Sequence, residues 1–405
     1  MGPERAMVAI SRVSPQADQG AVLAAVAAAV EAAGPLGKVV ARGSHVVIKP
    51  NVFAPLPPPA TTDPRVVAAL VELCWQAGAS EVTVAEGRSI STAKFRPRHN
   101  TTWECYQVTG MADAVRAVGA RLHALEDDEF VDVPLPDGRV LTRPRVARTI
   151  LDAEVLINAP VLKNHSLTLV TLGIKNLHGV VSDEDKLHGH SYRDLPRKLA
   201  ELLMIRKPDL TVIDGLRGLG GDHADLGQTI DVGAIIAGQD TLAVDVVAAA
   251  VMGIEAGEVE TIAEAAAAGL GVADFSRIEV TGASVESVRK AFPRPDLEIS
   301  GHRFPGLTMY AGDYCRGCQY YVRRGLDRLV EHGLLSPDRP LTLVIGRDPQ
   351  VPARLPGTVV IVGDCACQSP SVKRLRDHLL LDNRLRIIYA CPPMEFRIRA
   401  RDLLD

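Results

Sequence analysis

Val46-Val-Ile48, then Asp63-Pro-Arg-Val-Val-Ala-Ala-Leu-Val-Glu-Leu-Cys-Trp-Gln-Ala77, then Val82-Thr-Val-Ala85: this succession reads as strand, helix, strand. Val46–Ile48 is a short apolar run of β-branched residues, as in a strand buried on both faces. Asp63 and Pro64 supply an N-cap and a first-turn proline, and Gly78 falls just past the helix end. Working outward, the pattern repeats. Met7–Val13 is strand-like, Met111–Val118 reads as a helix and Arg121–Leu125 as a strand. Val155-Leu-Ile157 and Leu210–Ile213 are short buried strands, with a helix over Asp194–Ile205 between them. Alternating helices and continuously apolar strands predict an α/β fold: a mostly parallel sheet with helices on both faces.

Pro293–Pro305 is polar and carries prolines, and it reads as a linker. Beyond it, Cys318–His332 and Ser369–Leu380 look helical, while Leu341–Ile345, Val359–Val362 and Leu385–Tyr389 look like strands. The expected organisation is therefore a large α/β domain over 1–292, a linker over 293–305 and a smaller α/β metal-binding module over 306–405.

Bulk composition excludes several classes of function. The chain has 405 residues, a net charge of −4 and 4% aromatic residues. No basic surplus offers a nucleic-acid partner, and too few rings are present for a stacking platform. The start, Met1-Gly-Pro-Glu-Arg5, lacks a basic-then-apolar leader, and the Ala-rich Val22–Val30 is too short to span a bilayer. The expectation is a cytoplasmic protein with no membrane partner.

Of seven cysteines, Cys74 and Cys105 stand alone, and the other five fall between Cys315 and Cys391. Clustered cysteines in a reducing compartment argue for metal or redox chemistry. Cys315-Arg-Gly-Cys318 opens a predicted helix, where backbone N–H groups and the helix dipole favour thiolate. Cys365, in Gly363-Asp-Cys-Ala-Cys367, follows one predicted strand, and Cys391, in Ala390-Cys-Pro-Pro393, follows another. Residues just past the strands of a parallel sheet share one rim, where ligands bind. The ligand set is read as Cys315, Cys318, Cys365 and Cys391, with Cys367 as the alternative. The cofactor is read as an iron–sulfur cluster of the 4Fe–4S type, and zinc is the competing reading, with Cys365-Ala-Cys367 as its second close pair. Pro392 and Pro393 would stiffen the Cys391 loop.

A second constellation is polar. Lys49 and Asn51 follow Val46–Ile48; Lys163 and His165 follow Val155–Ile157; then come Lys175, Asn176 and His178, and later His188 and His190. Asp214 follows Leu210–Ile213. Lysines placed repeatedly after apolar strands suggest an anion site. In this reading Lys49, Lys163 and Lys175 hold the anion and Asn51 and Asn176 orient it, with His188 and His190 as further substrate-binding residues. His165, His178, Lys163 and Asp214 are the candidates for proton transfer. Gly218-Leu-Gly-Gly221 reads as a loop over the site, and Asp245, in an apolar helix, needs a partner that a basic residue of the site would supply. Neither a Walker loop nor a G-x-G-x-x-G fingerprint occurs.

Lys49-Pro-Asn51, Pro160-Val-Leu-Lys-Asn-His165, Thr171-Leu-Gly-Ile-Lys-Asn-Leu-His-Gly179, Lys207-Pro-Asp-Leu-Thr-Val-Ile-Asp-Gly215 and Ala237-Gly-Gln-Asp-Thr-Leu-Ala-Val-Asp245 together resemble domain-of-unknown-function family 362. The resemblance covers roughly residues 40–255. Many members look like iron–sulfur proteins, often through an added ferredoxin-like segment. Here the cysteines sit in a different tail, with Cys-x-x-Cys, Gly-Asp-Cys and Cys-Pro-Pro. The resemblance implies a fold and a site but no reaction. The expected function is an iron–sulfur enzyme, a lyase or isomerase or else an oxidoreductase, acting on an anionic, carboxylate-bearing small molecule. A non-catalytic iron–sulfur or zinc protein for electron transfer or partner binding is the alternative. A redox partner protein and a homo-oligomer are left open.

Overall fold

The computed structural model describes residues 5–89, 101–190, 193–222, 227–352, 355, 357–379, 385–391 and 393–399. It divides into two units, Met1–Gly189 with Asp194–Pro295, and Asp296–Asp405 with His190–Arg193.

The first unit is built on ten strands: β1 (Ala6–Arg12), β2 (His45–Pro50), β3 (Glu81–Glu86), β4 (Arg121–Ala124), β7 (Val155–Ala159), β8 (Val161–His165), β9 (Leu169–Thr171), β10 (Leu210–Gly220), β11 (Gln228–Gly238) and β12 (Ile278–Gly282). β5 (Phe130–Asp132) and β6 (Arg145–Ala147) form a separate antiparallel pair. The main order is β12-β1-β11-β10-β7-β2-β3-β4, with β8 beside β10 and β9 beside β8. β10, β7, β2, β3 and β4 run parallel, and β11 is antiparallel to both its neighbours. The sheet is thus mostly parallel, as the alternation of elements predicts.

Alternation of side chains explains why these strands read as continuous apolar runs. Val46, Ile48, Val82, Val84, Val155 and Ile157 enter one core with the helices Gln19–Ala33 and Pro64–Ala77. Val47, Leu156, Ile213 and Ile236 point the other way and are also fully buried, and the helix Thr241–Val251 packs on β1, β10 and β11. A strand covered on both faces has no polar position to offer. The helix that opened the sequence reading starts where expected: Asp63 accepts from the Arg65 N–H, Pro64 follows, and Gly78 ends it at φ 96°.

Three expectations change. Gly218–Gly221 is not a loop, because β10 runs through to Gly220 and pairs with β11. Its glycines let other groups press close: a Cβ on Gly218 would stand 2.3 Å from the Phe292 ring, and one on Gly220 2.6 Å from Pro293. The polar tail after Ile157 is itself a strand, β8, so Lys163 and His165 lie within a β8–β9 hairpin. Within 293–305, Ile299 and Phe304 are buried in the core of the second unit.

The second unit carries four parallel strands in order: β13 (Leu307–Ala311), β14 (Leu341–Ile345), β15 (Thr358–Val362) and β16 (Leu385–Ile388). The helix Arg316–Glu331 joins β13 to β14 and packs with Leu341, Leu343, Val360 and Val362. Val344, Val359 and Ile361 face the other way, toward Ala366, Cys367, Val372 and Leu375. Four parallel strands in chain order put all four C-terminal strand ends on one rim.

Candidate functional site

At that rim the second unit has a small concavity lined by Cys315, Cys318, Cys365 and Cys391 together with Arg193, Gly346 and Gly363. Cys315 caps the helix Arg316–Glu331, and Cys318 lies in its first turn. Cys365 belongs to the short helix Asp364–Gln368 after β15, and Cys391 follows β16. These are the four cysteines expected from sequence. Cys367 points instead into the apolar core beneath β15. Pro392 lies outside the described residues.

The electrostatics favour a thiolate. Cys315 is lowered to about 6, first by the thiol of Cys318 donating to it, against a cost of burial, and then by the N–H groups of Cys318 and Gly317 and the charge of Arg193. Cys318 is pushed up by the same contact and by burial, with Cys391 and Cys365 adding to it. Cys74 and Cys105 differ: both are buried in the first unit, and burial pushes each thiol up to about 12. Gly346 and Gly363, at φ 87° and 89°, line the concavity at strand ends. A Cβ on Gly346 would come within 3.0 Å of the Gly312–Asp313 backbone. Among the described residues, no three His, Cys, Asp or Glu side chains form a group that could hold a metal ion.

The first unit gathers the lysines and amides of the sequence motifs at the carboxyl ends of β2, β3 and β7. Lys49 has no solvent exposure and forms an ion pair with Glu86. Lys163 is 3% exposed, donates to Asn51 Oδ1 (2.5 Å) and the Ala60 carbonyl (2.9 Å), and lies 4.0 Å over the Phe53 ring. Asn51 donates to Asn176 (2.9 Å), Asn176 to Asn158 (2.8 Å), and Asn158 to the Gly173 carbonyl (2.9 Å). The amides of Asn51 and Asn176, cast from sequence as orienting a substrate, bond one another, and Asn176 also donates to the carbonyls of Lys49 and Pro50 in β2. Burial lowers the pKa of all three lysines. For Lys49 the Glu86 carboxylate opposes this. Lys163 goes well below the ordinary value, helped by the charges of Lys175 and Lys49, and Lys175 falls to about 8 through burial and Lys49.

The remaining candidates are placed as follows. His165 Nδ1 accepts from the N–H groups of Leu167 and Thr168, both 3.2 Å, bracing the β8–β9 turn. His178 is buried, and His188 is exposed with Nε2 donating to the Val140 carbonyl at 3.0 Å. His190 groups with the second unit. Asp214 lies inside β10 rather than at a strand end, accepts from the N–H groups of Asp63 (2.7 Å) and Leu216 (3.0 Å), and is pushed up to about 7 by burial. Asp245 finds its partners in two backbone N–H groups, Gly173 (2.6 Å) and Ile174 (2.9 Å), and not in a basic residue.

Sequence reasoning missed Glu86, which directly follows Val82–Ala85 and could have been found by extending the strand-end rule one residue. It also missed Arg193, whose place against the cysteines no local pattern announces. Lys186 and Lys198 were missed too. Both are buried, and Lys198 donates to the carbonyls of Lys186 (2.8 Å) and His188 (2.5 Å).

No helix among the described residues is long and apolar enough to cross a membrane. Comparison with known proteins adds three findings. A Thylakoid-associated protein of Synechocystis sp., sll1697, is 28% identical over 253 residues, 61% of this chain and 74% of the relative. The structure of the lactate racemase apoprotein from Thermoanaerobacterium thermosaccharolyticum covers all of this chain and 83% of its own at a TM-score of 0.42 and 12% identity. The family model described as Domain of unknown function (DUF362) matches residues 46–250, the stretch that carries the lysine and asparagine network, and the chain belongs to that family.

Proposed function

We propose that this protein is an iron–sulfur enzyme acting on an anionic, carboxylate-bearing small molecule. The carrying observation is that four cysteines from three chain segments line one concavity at the carboxyl rim of the small parallel sheet. The donor type is the one such a group takes. All four donors are sulfur, one is favoured as thiolate at a helix start, and Gly346 and Gly363 line the same concavity. A cluster spreads its ligands around several irons, whereas zinc needs them converging on one ion. When bound, a cluster of this kind supplies either a Lewis-acidic iron or one electron.

The chain's own residues do the rest. Cys315, Cys318, Cys365 and Cys391 would hold the cluster, Cys315 as the thiolate that the helix start favours, and Arg193 would offset part of the cluster's negative charge. In the first unit, Lys49 and Lys175 face one carboxylate among the described residues, Glu86. An anion would supply the missing countercharge, and this imbalance supports an acidic substrate. Lys163, which burial and its neighbours favour as the neutral amine, is the proton acceptor in this reading, and His178 a second proton-transfer group.

The test is iron, sulfide and zinc content with an absorption spectrum, on anaerobically purified wild type and on Cys315→Ser. About four irons per chain with matching sulfide, lost in the variant, is the expected result. Stoichiometric zinc, or no metal after reconstitution with iron and sulfide, would overturn it.

A further inference from the structure

Of the lysines gathered in the first unit, one has no part in holding the fold. Lys49 is fully buried against Glu86, and Lys163 is occupied by Asn51 and the Ala60 carbonyl. Lys175 is partly exposed, and among the described residues its amine has no hydrogen-bond acceptor and no ion-pair partner. Glu86 acts on it through charge alone. Its mounting is nevertheless rigid. Just before it, the Gly173 and Ile174 N–H groups donate to the Asp245 carboxylate; just after it, the Asn176 amide donates to Asn158 and to the Lys49 carbonyl. The same turn lies over the Lys49–Glu86 pair, since a Cβ on Gly179 would stand 2.9 Å from Glu86 Oε2 and 3.1 Å from Lys49 Nζ. A second observation comes from Thr171. It faces Lys163 across the β8–β9 ladder, so both side chains stand on one face of the hairpin. Of the charges around Lys163, that of Lys175 acts on it most strongly. The Thr171 hydroxyl is buried, and no group among the described residues bonds it. Such a hydroxyl calls for a polar partner that the chain does not supply. Burial and the charge of Lys49 lower the Lys175 amine to about 8, which enlarges its neutral, nucleophilic share near neutral pH.

Resting on the anion-site part of the reading above and needing no cluster, we propose that Lys175 is a nucleophile that forms an imine with an aldehyde or ketone borne by a carboxylate. The substrate class is thus a small oxo acid. The Lys175 nitrogen bonds to the carbonyl carbon, and the carbonyl oxygen leaves with the two amine protons as water. No oxidant or reductant is needed. The neighbouring lysines meet the charge of the carboxylate, and the Thr171 hydroxyl donates to one of its oxygens.

The experiment treats the full-length protein at neutral pH with glyoxylate and cyanoborohydride, which reduces an imine to a stable amine. Intact mass and peptide mapping locate the adduct. Calorimetry with oxalate, which has two carboxylates and no reactive carbonyl, tests the anion site separately. The expected result is a single adduct on Lys175, formed about tenfold or more faster than on the exposed Lys38 and Lys290. Oxalate should suppress it, and Lys175→Arg, which keeps the charge but forms no imine, should lack it. The wild-type map decides the matter by itself if that variant does not fold. Adducts spread evenly over Lys38, Lys290 and Lys175, or confined to Lys163, overturn the inference, and oxalate binding in the same preparation leaves the anion reading standing. Absence of both the Lys175 adduct and oxalate binding overturns both.

Discussion

Lys49 and Glu86 illustrate how a single pair can organise a sheet rim. Both are almost fully buried, and the attraction between them offsets a desolvation cost neither could bear alone. Glu86→Gln should therefore destabilise the chain by about 3–5 kcal/mol, and Lys49→Met with Glu86→Leu together should cost less than the single change. Urea denaturation of the three variants checks this; a single change costing nothing would mean the pair is not buried as described. Lys198 is a second case, with a sign that can be worked out. Burial pushes it down to about 7 from an ordinary 10.5. Between those values the unfolded chain binds the proton more tightly, so stability rises with pH across the window and is lost as pH falls through the folded value. Lys198→Met removes that contribution. The unfolding free energy of the variant should climb less steeply than that of wild type between about pH 7 and about pH 10, and parallel curves would refute the assignment.

Glycines do at the level of elements what no side chain can. Within the helix Arg316–Glu331, Gly325 sits where alanine would ordinarily stabilise by about 1 kcal/mol. Here a Cβ would stand 2.1 Å from the Phe396 ring and 3.1 Å from its carbonyl oxygen. The close approach lets the helix Met394–Arg399 pack against the longer one, and so anchors the chain just beyond Cys391. Gly325→Ala should therefore destabilise the second unit by about 1–3 kcal/mol, reversing the sign that helix propensity alone predicts. Thermal unfolding of the variant measures it, and a rise in melting temperature would contradict the packing. The β8–β9 hairpin shows a different kind of adjustment. Pro160 ends β7, and the chain resumes at once as β8 beside the far part of β10, so Lys163 reaches back to Asn51.

At the scale of the whole molecule, each unit has its own core. The first is centred on Val46, Ile48, Val84 and Ile157, and the second on Leu343, Ile345, Val360 and Val362. The four cysteines of the rim belong wholly to the second. On the proposed function, removing the cluster with a chelator and a reductant should lower the transition of the second unit and leave that of the first in place. Calorimetry before and after removal decides it; a shift in both transitions, or in neither, would detach the cysteines from metal binding.

Local physics was legible in the sequence. The Asp63-Pro64 start and Gly78 stop, the continuously apolar strands and the helix opening at Cys315 rest on backbone groups and neighbours a few residues apart. From them followed the mostly parallel sheet and the four cysteines at strand and helix ends. The sequence also placed Lys49, Asn51, Lys163, Lys175 and Asn176 in one first-unit group. Partnership was decided only by tertiary structure. The pairing of Lys49 with Glu86 spans 37 residues, that of Asp245 with the Gly173 and Ile174 N–H groups about 70, and Arg193 meets Asp313 across 120. The same distance hid that Gly218–Gly221 extends a strand, since the Phe292 and Pro293 that fill the space over it lie more than 70 residues away. Whether a buried charge is satisfied depends on groups that only the folded chain brings within a few ångströms, and no spacing along the sequence encodes that contact.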